Sequence, residues 1–156
     1  MREATESDLD FLAGCYVKIA CHMKAGEQDL YIARLPETPD DTIRNHVARY
    51  VGREDALTLL EEIEGSPVAC LLASIGSSSF SASRLGKSGH IAVCWVEPAN
   101  RCSGIAAKLV SATEDWFGKR KLVSSSCRIW SRTNWRWSPG NDWGYRAFRV
   151  FSDKEL

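Results

Sequence analysis

The sequence lacks any long apolar run, and no stretch approaches the roughly 18 consecutive apolar residues of a membrane-spanning helix. Its opening, MREATESDLD, is acidic, whereas a secretory signal is basic and then apolar. From these two absences we expect a cytoplasmic protein with no membrane partner.

Net charge is missing as well. The 156 residues carry 20 Lys and Arg against 20 Asp and Glu, a formal net charge of +0. Because neutralisation of phosphates by basic residues supplies most non-specific affinity for nucleic acid, we expect no nucleic-acid partner. The balance hides an asymmetry: residues 1–75 carry 14 acids and 7 bases, and residues 76–156 carry 6 acids and 13 bases. The two halves could therefore face ligands of opposite charge, or attract each other.

Metal and nucleotide motifs are absent too. The 6 cysteines form no Cys-x-x-Cys pair, which argues against a zinc knuckle or a dithiol redox site, and we expect no metal. No Gly-x-Gly-x-x-Gly occurs, and the Walker-like run 86–88 has Ser81 where a Walker loop needs glycine. Cys70, Cys94 and Cys127 lie in apolar runs and are predicted to be reduced core thiols.

What the sequence does contain is a pattern of helices and strands that predicts a mixed α/β (α+β) fold in one domain, residues 1–156. Helices are predicted to begin near Ser7, at Pro39–Asp41 and at Ile105; strands are predicted at 2–5, 57–63, 68–75, 89–96, 125–130 and 145–151. The run 89–96 is apolar at nearly every position, which predicts a central strand buried on both faces.

The junction between that strand and the next helix is the most informative segment. Residues 101–106 open a helix that has no acid as far as Thr113, although helices usually place Asp or Glu in the first turn. The unpaired N–H groups of a helix start suit phosphate oxygens, and Gly104 and Ala106 allow a ligand close to the backbone. The alternative is a glycine needed only for a tight turn.

At this junction the sequence resembles the GNAT superfamily of acyl-CoA-dependent N-acetyltransferases. The family signature is Gln/Arg-x-x-Gly-x-Gly/Ala after a strand ending in Val-x-Pro, and the run 96–106, VEPANRCSGIA, matches it. Further matches follow in family order over essentially the whole chain: Arg2, Ala4, Asp8, Asn134, Gly144 and Tyr145.

The resemblance implies a mostly antiparallel mixed sheet with helices on its faces, and a parallel pair of strands that splays apart around acetyl-CoA, the co-substrate. The pantetheine arm would pair with the backbone of the first strand, and the pyrophosphate would rest on the amides of the signature. The implied cofactor-binding residues are Cys94, Trp95, Val96, Arg101, Cys102, Ser103, Gly104, Ile105, Ala106 and Asn134. Without the resemblance, a lone Asn after a strand indicates a cap or a turn.

The resemblance also implies the reaction, which is direct transfer of acetyl from acetyl-CoA to a primary amine of a small molecule or peptide. His90 lies eleven residues before Arg101, where family members carry a carboxylate base, and the ordinary imidazole pKa of about 6.5 suits proton removal. The alternative is a histidine that only makes hydrogen bonds at a strand end. An amide around Val96 would stabilise the oxyanion.

Three departures from the family pattern support a second hypothesis. Gly140 stands where the family often has the Tyr that protonates the leaving thiolate, and Cys102 stands where glycine is frequent. Pro and Gly make 135–142 a poor helix. The alternative function is a catalytically weak or inactive module of the same fold that binds acyl-CoA or an aromatic ligand.

Two segments bear on partners. Four of the 6 tryptophans lie within 130–143, where they could stack a ligand, pack a core or form a homodimer surface. The stretch 24–41 holds five acids, two bases and Tyr31 where the family binds its acceptor. Acids and an aromatic ring suit a cationic amine, and a solvated loop is the plain alternative.

Overall fold

The computed structural model describes residues 1–24, 33–77 and 87–122, and the backbone alone of 125–127. Within these ranges a five-stranded sheet carries α-helices on both faces. The strands are β1 (Arg2–Glu3), β2 (Ala56–Ile63), β3 (Ser66–Ser77), β4 (Lys87–Val96) and β5 (Ser125–Cys127). The α-helices are α1 (Leu9–Lys24), α2 (Asp41–Ala48) and α3 (Ile105–Lys119), and 3-10 turns cover Glu6–Asp8 and Pro98–Asn100.

The sheet has the order β1-β2-β3-β4-β5, and its first four strands are antiparallel. β5 runs parallel to β4 and pairs with Gly89–Ile91. The predicted fold class, a mostly antiparallel mixed sheet with flanking helices, is confirmed. The splaying of the parallel pair stays a prediction, because the rest of the strand predicted at 125–130 and the strand predicted at 145–151 lie outside the described residues.

The core has two layers because strand side chains alternate between the faces of the sheet. One layer, under α1 and α2, contains Leu12, Ala13, Cys15, Val17, Ile43, Val47, Leu60, Cys70, Leu72 and Val93. The other, under α3, contains Leu57, Leu59, Ala69, Leu71, Ala73, Ile91, Leu109, Val110 and Phe117. We refer to these sides of the sheet as the α1/α2 face and the α3 face.

A β-bulge interrupts β4. Leu72 pairs with Val93 and its neighbour Ala73 pairs with Ile91, so Ala92 is an extra residue in β4. Ala92 and Val93 consequently both contact the core of the α1/α2 face. Since residues five apart in a regular strand point to opposite faces, the extra residue brings His90 to the same face as Trp95.

The start of α1 differs from the prediction. Thr5, not Ser7, precedes the first helical turn, and the backbone N–H of Thr5 donates to Asp8 Oδ2 at 2.8 Å. The Asp8 carboxylate is held in place to accept this bond, because Arg2 donates to both of its oxygens at 2.8 Å. The start of α2 agrees with the prediction, since Asp40 accepts from the N–H of Ile43 at 2.9 Å.

The core-thiol prediction holds for one cysteine and fails for another. Cys70 is buried, and a hydrogen bond with Cys15 together with burial raises the pKa of its thiol. Cys94 is exposed, so β4 is not buried on both faces along its whole length. An apolar run predicts a strand in a core, but it does not specify which of its residues are covered on each face of the sheet. The side chain of Cys127 lies outside the described residues.

Candidate active site

The start of α3 provides an uncapped helix N-terminus. Gly104 is its N-cap residue with φ +81°, a left-handed conformation that suits glycine, and it offers no side-chain hydrogen bond. The helix has no acid in its first turn, and the first hydrogen bond back to the cap runs from Lys108 N–H to Gly104 O at 3.0 Å. The N–H groups of Ile105, Ala106 and Ala107 precede that bond, so they have no acceptor within the helix.

Charge at this helix start comes from the backbone. Lys108 donates to Glu61 Oε1 of β2 at 2.7 Å, and this hydrogen bond lowers the pKa of the Glu61 carboxyl. The Lys108 ammonium is therefore paired with a carboxylate. The partial positive charge of the helix dipole remains at the N-terminus, which favours an anionic ligand there.

The loop before α3 is tightly turned. Ser103 Oγ donates to the carbonyl of Asn100 at 2.5 Å. Cys102 has φ +62°, a left-handed conformation that costs a residue with a Cβ about 1 kcal/mol. Its side chain is exposed. The departure from glycine at this position therefore strains the backbone without burying a thiol in the loop.

The end of β4 presents backbone groups on the side away from β3. The N–H of Glu97 donates to the carbonyl of Val68 at 2.9 Å, which places Glu97 on the β3 side. Because successive residues of a strand direct their N–H and C=O groups to alternate edges, Val96 and Cys94 direct theirs to the β5 side. In the described residues, β5 pairs only with Gly89–Ile91, well before this end of β4.

Arg101 contacts this end of β4 with its side chain. Its Nε donates to the carbonyl of Val96 at 3.1 Å, and its Cζ lies 4.8 Å from the centroid of the Trp95 ring. The predicted residues Trp95, Val96 and Arg101 are therefore in direct contact, and sequence spacing alone gave no sign of the stacking.

The candidate base His90 lies near the other end of β4. It is half-buried and pairs with Ser74 of β3 on one side and Ser126 of β5 on the other. The bulge at Ala92 turns it to the α1/α2 face, on which the two helices that flank the acidic stretch in sequence pack. The register thus brings the candidate base and Trp95 to one face of the sheet.

Two contacts on the α1/α2 face could not be found from the sequence. Lys18 of α1 forms an ion pair with Glu97 at 2.5 Å, which joins the helix to the residue after β4. The rings of Tyr16 and His46 lie with centroids 5.0 Å apart, and burial lowers the pKa of His46. Both pairs join elements distant in sequence, and only the fold brings them together.

Several predicted features lie outside the described residues: Asn134, the tryptophans of 130–143, Gly140 and residues 25–32 of the acidic stretch. Within the described ranges, no group of three or more His, Cys, Asp or Glu side chains is arranged to hold a metal ion. Among the helices of the same ranges, none is long and apolar enough to cross a membrane.

Comparison with known proteins decides the family. The profile of the acetyltransferase (GNAT) family matches residues 23–135, which is more than half of the chain and includes β4, the signature and α3. The chain belongs to the GNAT acetyltransferase family. Comparison with curated protein sequences finds no significant match.

Solved structures share the GNAT fold at low sequence identity. A mutant of the BH1408 protein from Bacillus halodurans is 16% identical, with a TM-score of 0.81, and the match covers 99% of this chain and 98% of that one. An aminoglycoside 6'-N-acetyltransferase from Acinetobacter haemolyticus is 18% identical, with a TM-score of 0.67 and coverage of 99% and 97%. A predicted acetyltransferase from Clostridium acetobutylicum, solved with acetyl-CoA, is 14% identical, with a TM-score of 0.71 and coverage of 99% and 94%.

Proposed function

We propose that this GNAT protein transfers an acetyl group from acetyl-CoA to a primary amine of a small molecule or peptide, by direct attack of the amine on the thioester. The observation that carries the proposal is the uncapped, acid-free start of α3 beside the end of β4. Acetyl-CoA bound to the Clostridium acetobutylicum neighbour supports the choice of acyl donor.

The proposed pyrophosphate site is the backbone of Arg101–Ala106. Its amides offer several hydrogen bonds to phosphate oxygens, and the dipole of α3 adds an attraction for negative charge. The pantetheine arm would lie along the β5-side edge of β4, where the backbone of Cys94 and Val96 could pair with its amides. Asn134 would donate to the same arm.

The proposed general base is His90, which takes the proton from the attacking amine so that nitrogen can form the new bond to carbon as the carbon–sulfur bond breaks. The base must reach the amine directly or through one water. A strand amide around Val96 would stabilise the charge that develops on the thioester oxygen.

The proposed acceptor is a cationic amine that enters on the α1/α2 face. The acidic stretch 24–41 would attract it, and the aminoglycoside substrate named for the Acinetobacter haemolyticus neighbour is an amine of this type. No metal takes part in this proposal. A neutral net charge supports a small molecule or peptide over a nucleic acid as the acceptor.

Calorimetric titration with acetyl-CoA tests the helix-start site, with NADH as a control ligand that shares the adenine diphosphate. Ala107→Glu places a carboxylate at an exposed position in the first turn of α3. We expect it to weaken acetyl-CoA binding about tenfold by repulsion, while it stabilises the helix by about 0.5 kcal/mol. Ser111→Glu, one turn further along, is the matched control and should change neither quantity. Unaltered affinity in Ala107→Glu would move the pyrophosphate away from α3.

The second candidate function is binding of acyl-CoA without turnover, which Gly140 favours because glycine has no group that could protonate the leaving thiolate. A thiol-release assay with acetyl-CoA and a panel of amines separates the two functions. An enzyme releases CoA thiol in an amine-dependent manner. A binding module gives a calorimetric signal with acetyl-CoA and no release above the background without amine.

A further inference from the structure

The side chain of Arg101 makes its described contacts with uncharged groups. Its Nε donates to the carbonyl of Val96 at 3.1 Å, and its Cζ lies 4.8 Å from the centroid of Trp95. No carboxylate within the described ranges forms an ion pair with it. The side chain is exposed, so the guanidinium stays solvated and needs no anion to offset a desolvation penalty.

The peptide group between Val96 and Glu97 is held at both ends. Its N–H, which belongs to Glu97, donates to the carbonyl of Val68 at 2.9 Å. Its C=O, which belongs to Val96, accepts from Arg101 Nε. This is the last peptide of β4 before the chain turns toward α3, so its plane sets the direction in which the loop leaves the sheet.

Stacking on Trp95 fixes the guanidinium itself. A planar cation over an indole is attracted to the ring face, and the contact restricts the rotamers of a long side chain. Trp95 in turn packs against the core of the α1/α2 face. Core, ring, guanidinium and peptide therefore form one chain of contacts that ends at the loop before α3.

We propose that Arg101 is a positioning residue whose side chain holds the last peptide of β4 through its Nε donor, and so orients the loop whose amides receive the pyrophosphate. Its charge does not bind phosphate. The proposal rests on the proposed function for the identity of the ligand, but the contact itself exists in the protein without ligand.

Three substitutions separate the donor from the charge. In Arg101→Gln, Nε2 stands the same number of bonds from Cα as Nε of arginine, so the donor is kept and the charge is lost. In Arg101→Lys, a methylene takes the place of Nε, so the charge is kept and the donor at that position is lost, because Nζ lies one bond further from Cα. Arg101→Met has neither. All three changes are at an exposed residue, and far-UV circular dichroism verifies that each variant is folded.

The first experiment measures amide hydrogen exchange in the protein without ligand. We expect exchange at Glu97 N–H to rise about fivefold in Arg101→Met and Arg101→Lys, the effect of losing one hydrogen bond, and to stay near the wild-type rate in Arg101→Gln. The N–H of Ala4, which donates to Thr58 at 2.9 Å in another part of the sheet, is the control and should not change. Equal rates at Glu97 in Arg101→Met and Arg101→Gln would overturn the proposal.

The second experiment measures acetyl-CoA affinity in the same variants. Arg101→Gln should bind as the wild type does, and Arg101→Lys and Arg101→Met should bind about fivefold more weakly. The salt dependence of binding should be the same for all four proteins, because no phosphate contact is lost. Wild-type affinity in Arg101→Lys with weak binding in Arg101→Gln would show that the charge matters and would overturn the proposal. If the wild type binds no acetyl-CoA, the proposed function fails, and the exchange experiment alone decides the role of Arg101.

Discussion

The two ends of β4 are built differently. At Gly89–Ile91 the strand is paired on both sides, with β3 and with β5, and the ring of Phe117 packs directly on Gly89. At Cys94–Val96 it pairs with β3 on one side, and the described contact on the other side is made by a side chain, that of Arg101. Packing and pairing on both sides fix one end of the strand, and the other end lies beside the loop that leads into α3.

The largest predicted effect tests whether the two ends act together. His90 belongs to the paired end, yet it would take a proton at the ligand end. We expect His90→Ala to lower kcat about a hundredfold and to leave acetyl-CoA affinity unchanged. The wild-type rate should rise with pH across the imidazole range, because only the neutral base accepts a proton, and the variant should lose this dependence.

His22, at the exposed end of α1, supplies the matched control. His22→Ala should keep both the rate and the pH profile of the wild type. An unchanged pH profile in His90→Ala would remove His90 from the mechanism, and the two ends of β4 would then be functionally separate.

The next prediction breaks the packing of the paired end. A Cβ added to Gly89 would lie 2.6 Å from Phe117 Cε1, so the ring must move. We expect Gly89→Ala to destabilise the fold by about 2–3 kcal/mol, a fall in Tm of roughly 4–10 °C in thermal denaturation. Gly118→Ala, at the residue after Phe117 in α3, is the control. A Cβ added to Gly118 would have no atom within 4 Å, and this change should stabilise the helix by about 0.5–1 kcal/mol. Equal Tm values for the two variants would mean that the Phe117 ring does not pack against Gly89.

The smallest effect concerns β1, at the opposite edge of the sheet, where Arg2 forms an ion pair with Asp8. The hydrogen bonds from Arg2 hold the pKa of Asp8 well below its usual range. Asp8→Asn should cost about 1.5 kcal/mol at neutral pH, the contribution of a hydrogen bond to a charged group. Because the folded protein favours the ionised form, this difference should be constant above about pH 4 and should shrink as the pH falls below it.

Asp55 provides a matched ion pair for that measurement. Arg53 Nε lies 2.8 Å from Asp55 Oδ1, but both side chains are about half exposed. Asp55→Asn should change stability by less than about 0.5 kcal/mol in urea denaturation, since solvent screens the pair. If Asp55→Asn lowered the free energy of unfolding as much as Asp8→Asn does, the distinction between a buried and an exposed carboxylate would be wrong.

Local signals predicted most of the fold. Three helices, the β2–β3 hairpin and β4 lie where apolar periodicity and turn residues indicated, and the acid-free start of α3 was visible as a run of residue types. The cap of α1 was missed because Thr5, Ser7 and Asp8 all compete for one helix start. Arg2 of β1, which pairs with Leu60 of β2, donates to Asp8, and this contact between side chains gives no local sequence signal.

The site was less accessible to prediction than the fold. The exposure of Cys94 depends on which elements pack over this end of β4, and the stacking of Arg101 on Trp95 depends on the turn at Pro98–Asn100. The bulge at Ala92 left no local signal, because an apolar run looks the same with or without an extra residue. Each feature is set by a partner from another part of the chain.

The bulge at Ala92 also makes the length of β4 a constraint on how this sequence can change. Removal of one residue between His90 and Trp95 would leave a regular strand with the two residues four apart, so their side chains would still point to the same face. Removal of two residues would turn them to opposite faces. The extra residue thus gives this strand room to lose one residue, but not two, without separating the candidate base from the face that carries Trp95.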